Sequence, residues 1–355
     1  MQVIKPIGGE QWFDINLFNN DLNNFENTSG TFLSGGQCSL NFIVKQLGQK
    51  SDEVLLLPAY LCPSIVRNLE RNKVNFDFYK INLDLSIDLE DLHKKTESAN
   101  AKAVFFINYF GFYHDRRTLD YLEALKNHGI TLIEDAVQML WFSKKKFTGD
   151  FVFNSFRKFL PVDGSIVLAK TASSFEAVQD LYYEYMNTAR MEITSYVKYG
   201  IGAMDGFMEL FSKAEEVYGK DTSVNGMTEI SRYLLNKVDG EYIGKVRRSN
   251  YEYLYDRLCG CGYIKPLFGK NLLEENIPIG FPVLIENRDS IRSELRSKSI
   301  YCPAHWPILG EKWVNGYKDS IMLAKNILTL PIDQRYGEED LDRLLREILT
   351  LADRG

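Results

Sequence analysis

Residues 114–138 read HDRRTLDYLEALKNHGITLIEDAVQ. The first sixteen alternate polar and apolar positions at helical spacing and predict a helix closed by Gly129. ITLIEDAV then predicts a buried strand that ends on an acid. The same rhythm runs outward on both sides. EVLLLPAYL (53–61) predicts a strand ending in a turn, and PSIVRNLERNK (63–73) the next helix, with Pro63 at its start. FDFYKIN (76–82), KAVFFINYF (102–110) and SIVLAK (165–170) are further strands. TFLSGG (31–36) leads into QCSLNFIVKQLGQ (37–49), where Leu40, Ile43, Val44 and Leu47 fall on one helical face. The fold class expected is α/β, a mainly parallel sheet covered by helices on both faces. Ligands of such sheets gather at the carboxyl ends of the strands. Those ends carry Tyr60, Asn108, Asp135 and Gln138.

Composition narrows the function classes. The chain has 355 residues, 45% apolar and 25% charged, with a formal net charge of −6. That balance argues against a nucleic-acid partner, which needs a basic face. No apolar run reaches membrane-spanning length, and MQVIKPIGGEQWFDINL (1–17) lacks the apolar core of a secretory leader, so a cytoplasmic protein is expected. Five scattered cysteines make a poor disulfide framework, and Cys259-Gly-Cys261 has no second cluster to complete a metal site. Four histidines without ligand spacing give no expectation of a metal.

Beyond residue 171 the pattern changes. Residues 171–235 are helical, tyrosine-rich and interrupted by glycines, and GEYIGKVRRSNYEYLYDRLC (240–259) predicts one long helix. Residues 280–308 and 327–351 have the strand-helix-strand-helix character of a small α+β unit. We expect a large domain over 1–235, with a helical insertion at 171–220, and a small C-terminal domain over 236–355.

Three features share one chemistry. Gly35-Gly36-Gln37-Cys38-Ser39 opens a helix N-terminus whose free N–H groups can hold an anion, although a plain helix entry reads the same way. Asp135 closes an apolar strand, where a carboxylate either caps a helix or meets a cation. In FVFNSFRKFLPVDG (151–164), Lys158 stands among Phe153, Phe156 and Phe159. A lysine desolvated there is an amine nucleophile; the alternative is a side chain that carries its head out to water. An anion seat, an acid and an amine in this order describe a pyridoxal 5'-phosphate site: phosphate anchor, pyridinium partner and covalent lysine.

With those residues in place, the chain resembles fold type I pyridoxal-phosphate enzymes, and among them the DegT-type sugar aminotransferases. LSGGQCSL is similar to that family's SGTxAL turn, HGITLIEDAVQ to HGLxVIEDAAQ, and GDFVFNSFRKFLPVDGSIVL to its lysine segment. VNGMTEI resembles NxRMxE, and ILTLPIDQRYGEEDLDRLLREI the family's closing motif. The likeness runs from about residue 30 to the C-terminus and leaves the 171–220 helices uncovered. It implies that Lys158 joins the cofactor and moves the proton, and that Asp135 keeps the pyridine nitrogen protonated. Gln138 would lie beside the ring's phenolic oxygen. Gly36, Gln37, Cys38 and Ser155 would hold the phosphate, with Asn154 competing for the place of Ser155. Asn225 would reach the neighbouring subunit's phosphate, making a homodimer with shared sites. Gln37 stands where the family has Thr, and Cys62 where it has a ring-stacking aromatic, so Tyr60 is the candidate for stacking.

The resemblance implies an enzyme, an aminotransferase that moves an amino group from a donor such as glutamate to a keto-sugar. That sugar would be nucleotide-linked and destined for surface polysaccharide. A lyase or dehydratase on a related sugar is the alternative, and a non-catalytic cofactor-binding homologue the third reading. His305, in YCPAHWPI, sits where relatives bring a loop towards substrate; a packed turn is the competing reading. Asn108 and Tyr109 are further substrate candidates. Arg157 is expected to pair with a carboxylate, Arg247-Arg248 to form a solvated or inter-subunit face, and Gly8-Gly9 a plain turn.

Overall fold

The computed structural model describes residues 4–20, 22, 24, 28–140, 147–273 and 275–353. Strand β1 (Ile7–Gly8) opens the chain, and β2 (Thr31–Leu33) leads into α1 (Gly36–Leu47). Then come β3 (Val54–Pro58), α2 (Pro63–Arg71), β4 (Phe76–Tyr79), α3 (Leu89–Ser98), β5 (Ala101–Ile107) and α4 (Arg116–Asn127). β6 (Thr131–Asp135), β7 (Phe151–Phe153) and β8 (Ser165–Leu168) complete one sheet. Its strand order is β2-β8-β7-β6-β5-β3-β4, and β8 alone runs antiparallel to its neighbours. Leu55–Leu57, Ala103–Phe106 and Leu132–Ile133 are entirely buried. Strands covered on both faces need such continuous apolar runs, which is why these segments announce themselves in the sequence.

The caps follow local chemistry. Asp115 accepts a hydrogen bond from Thr118 N at 2.7 Å and starts α4. Gly129, at φ +86°, turns the chain from α4 into β6. Pro63 occupies the first turn of α2.

The helical stretch resolves into α5 (Leu181–Tyr199), α6 (Met204–Lys220) and α7 (Glu229–Leu235). Gly200 and Gly202, both at positive φ, make the turn between the first two. The long helix is α8 (Gly240–Leu258). A second, antiparallel sheet is formed by β9 (Ile264–Pro266), β10 (Phe281–Ile285) and a strand at Ile327–Leu330, with β10 central. Between them in sequence lie α9 (Arg288–Ser297), β11 (Ile300–Tyr301) and α10 (Lys318–Asn326). The third strand is thus β12 (Ile327–Leu330), and α11 (Glu338–Ala352) closes the chain. β1 pairs in parallel with β11. No helix among the described residues is long and apolar enough to cross a membrane.

Candidate active site

Register brings the three features to one end of the large sheet. Asp135 pairs with Ile107 of β5 on one side and Phe153 of β7 on the other. The turn after β7 carries Asn154 and Ser155, and a Cβ on Gly36 would lie 3.6 Å from that of Ser155. The start of α1, the end of β6 and the turn after β7 therefore meet, since the same Cβ would also lie 3.6 Å from Val137 Cγ2, two residues past Asp135.

Asp135 is 5% exposed and accepts a hydrogen bond from Val137 N at 2.8 Å. Burial lifts its carboxyl to about 7, although the Val137 N–H and the positive charge of Lys158 both pull it back. A carboxylate held this way gains most from a cation placed against it. Its neighbour Glu134 is tied down: it accepts from Asn108 Nδ2 at 2.7 Å and from the backbone N–H groups of Thr148 and Gly149, both at 2.9 Å. Burial raises its carboxyl despite these bonds.

Lys158 is exposed, which corrects the expectation of a desolvated amine. Phe156–Lys158 form a single 3-10 turn. Three residues per turn put Phe156 and Phe159 on one side, both buried, and leave Arg157 and Lys158 outside them. The phenylalanines anchor the turn and the lysine stands off it. It lines a cavity of about 380 Å³ together with Gly8, Arg247, Arg292, Arg296 and His305.

His305 Nδ1 lies 2.8 Å from Thr329 Oγ1. Burial and the charge of Lys158 push its imidazole down to about 3, so it is neutral at ordinary pH. Arg247 corrects a second expectation. It is fully buried, bonded to Gln334 Oε1 and the carbonyls of Pro278 and Ile279, with its guanidinium 4.7 Å over the Phe159 ring. Gly8, at φ +81°, is more than a plain turn: a Cβ there would lie 2.1 Å from the Tyr301 carbonyl oxygen.

Other candidates hold structure. Tyr60 has 0% exposure, its ring lies against Tyr109 and Trp306, and its hydroxyl donates to the His305 carbonyl. A ring so enclosed offers no face for stacking. Tyr109 donates to the Tyr60 carbonyl. Gln138 Oε1 accepts from Phe110 N at 2.7 Å, leaving its amide nitrogen for a ligand oxygen. Asn154 Oδ1 accepts from Ile166 N at 2.8 Å and so serves the strand pairing, whereas Ser155 stays beside Gly36. Cys62, half-buried, has its Sγ 3.0 Å from Ser64 Oγ. Arg157 pairs with Glu215 of α6, as expected.

For a pyridoxal phosphate the two ends of the site differ. At the ring end a buried acid under the field of a nearby lysine suits a protonated pyridine nitrogen, so the donor set fits. At the other end Gln37 N, which the resemblance gives to the phosphate, donates to Tyr218 Oη at 3.0 Å. The space left there, about 20 Å³ between Gln37, Cys38, Tyr218 and Asn225, has room for about one water and not for a phosphate. Asn225 is bonded through its backbone to Cys38 Sγ of its own chain, at 3.1 Å. Sequence reasoning missed Tyr218 because it lies in the helices that the family motifs do not cover.

No family model matches the chain, and neither does any curated protein. Solved structures do match. Spr1654 of Streptococcus pneumoniae, a proposed sugar aminotransferase in its PLP form, is 17% identical and superposes with a TM-score of 0.68 over 98% of this chain and 93% of its own. Helicobacter pylori PseC, an aminotransferase of pseudoaminic acid biosynthesis, is 15% identical, with a TM-score of 0.68 over 99% and 93%. DesV of S. venezuelae is 15% identical, with a TM-score of 0.66 over 92% and 85%. Identity this low speaks for the fold alone.

Proposed function

We propose that this chain, which has the fold of the DegT-type sugar aminotransferases, is a pyridoxal-phosphate-dependent aminotransferase. In this reading it takes the amino group of an amino acid such as glutamate and passes it to a keto-sugar, nucleotide-linked and destined for surface polysaccharide. The observation that carries it is the placement of Asp135 and Lys158 at one end of the sheet: a buried acid closing β6 and an exposed amine on the turn after β7, near enough for the lysine's charge to act on the acid.

The cofactor, when bound, supplies an electron sink for the charge left after a C–H bond breaks. The residues do the rest. Asp135 would hold a proton on the ring nitrogen, and its ionisation would be restored by that cation. Lys158, free of packing, would bond the cofactor and then carry a proton between the two carbons that exchange it. Gly36, Cys38 and Ser155 would face the phosphate, Gln37 would join them only with its N–H released from Tyr218 Oη, and Gln138 would offer its amide to the ring. His305, neutral, and the arginines of the cavity would line the substrate side. The same reading makes the protein a cytoplasmic homodimer with Asn225 near the subunit boundary, and divides it into domains at about residue 235.

Purified protein given pyridoxal phosphate should develop an absorbance band at the edge of the visible range, and Lys158→Ala should remove it. Glutamate should then bleach the band and release one equivalent of 2-oxoglutarate. A protein that stays colourless sinks the reading. A second reading, a homologue that binds the cofactor without transamination, is favoured by Gln37 and Cys62 at the turn and stacking positions and by the enclosed Tyr60 ring, which offers no face to the cofactor. A band that no amino donor bleaches would support it.

A further inference from the structure

Tyr218 belongs to the last turn of α6, and two side chains hold its ring there. The ring of Tyr182 lies 4.9 Å away, the Arg157 guanidinium sits 4.7 Å over its face, and Arg157 pairs with Glu215 one turn earlier on the same helix. Its hydroxyl reaches so far into the turn that a Cβ on Gly35 would come within 2.6 Å of it. Asp180 and Asp221 border the same small space, each bonded to backbone N–H groups of its own segment. The residue next to Lys158 is thereby latched to the helix that covers the start of α1.

We propose that α6 is a built-in gate on the phosphate seat: in the closed form the Tyr218 hydroxyl takes the Gln37 N–H, and an incoming phosphate must displace it. The proposal rests on reading the start of α1 as the seat of the cofactor's phosphate. One N–H makes one good hydrogen bond, so the two oxygens compete. The phosphate wins once the seat is open, because charge-assisted bonds are the stronger and the helix start favours an anion. Withdrawal of α6 also parts Glu215 from Arg157 and frees a guanidinium on the segment that carries Lys158. The closed form excludes an anion, and the open form gains a cation.

The test uses cofactor-free full-length protein and follows uptake of pyridoxal phosphate by absorbance, with pyridoxal, which lacks the phosphate, as control. Tyr218→Phe keeps the ring and removes the competing oxygen. It should take up pyridoxal phosphate about fivefold faster or more tightly, the worth of one net hydrogen bond, with pyridoxal uptake unchanged. Glu215→Gln, which weakens the latch without touching the seat, should change uptake in the same direction, and inorganic phosphate should compete at lower concentration in both. If the wild type takes up pyridoxal phosphate and both variants match it or bind more weakly, the gate is wrong and the cofactor reading stands. If wild type and variants alike take up neither compound, both are wrong.

Discussion

Arg190 of α5 and Asp163, in the loop after Lys158, form a two-pronged pair with both side chains almost wholly buried. Nη1 lies 2.5 Å from Oδ2, Nη2 lies 3.1 Å from Oδ1, and Tyr182 Oη donates to Oδ1 at 2.6 Å. Burial alone would raise the Asp163 carboxyl, but Arg190 and the Tyr182 hydroxyl hold it below its usual range. The pair fastens α5 to the loop behind Lys158. Removing one partner leaves a buried charge alone, so Arg190→Met should cost about 3–5 kcal/mol in chemical denaturation. Arg190→Met with Asp163→Leu should recover much of it. The contribution is present above the ordinary carboxylate pKa and is lost as pH falls through the lowered folded value.

Asp135 behaves in the opposite sense. Its folded value of about 7 lies above the ordinary carboxylate value, so between about pH 4 and 7 the folded protein holds the extra proton. Stability of the cofactor-free protein should therefore fall as pH rises through that window, by up to about 4 kcal/mol from this one group. Asp135→Asn should remove that slope and be the more stable protein at pH 8. Denaturation curves of both at several pH values decide it; parallel curves would contradict the burial of an unpaired acid.

Lys158 separates stability from chemistry. Exposed on its turn, it should be replaceable by Met with a stability change within about 0.5 kcal/mol. The same variant should lose the cofactor band entirely. A large loss of stability would mean that the side chain packs after all.

Gly8 and Gly48 make a controlled pair. Both have positive φ, but a Cβ on Gly8 meets the Tyr301 carbonyl oxygen and Pro331 Cγ, whereas one on Gly48 meets nothing within 4 Å. Gly48→Ala should cost about 1 kcal/mol, from backbone strain alone. Gly8→Ala should cost more, about 1–3 kcal/mol beyond that, and should distort the cavity that Gly8 lines. Thermal melts of the two variants test the difference.

Much of the fold was legible because local and global demands agree. The parallel strands are covered on both faces and read as unbroken apolar runs, while Gly129 and Pro63 mark turns and caps that physics imposes locally. The acid at the end of β6 was legible as a position, but the sequence left open whether it capped the next turn or met a cation, and in the structure it accepts from Val137 N. The environment of Lys158 was not legible. Adjacent phenylalanines in the sequence suggest a dry amine, but the 3-10 turn sends rings and cations to opposite sides. Arg247 looked like a surface residue on a polar helix, and only the chain crossing it at Pro278–Ile279, with Gln334, shows why it is buried.

The sequence by itself determined the order of strands and helices, the acid at the end of β6 and the lysine after β7. Those depend on periodicity, capping and the cost of burying charge, which act over a few residues. Only the tertiary structure decided what each of them faces. Asp163 meets Arg190 across 27 residues, Arg157 meets Glu215 across 58, and Gln37 meets Tyr218 across 181. Such pairings depend on how helices dock, which no local pattern encodes.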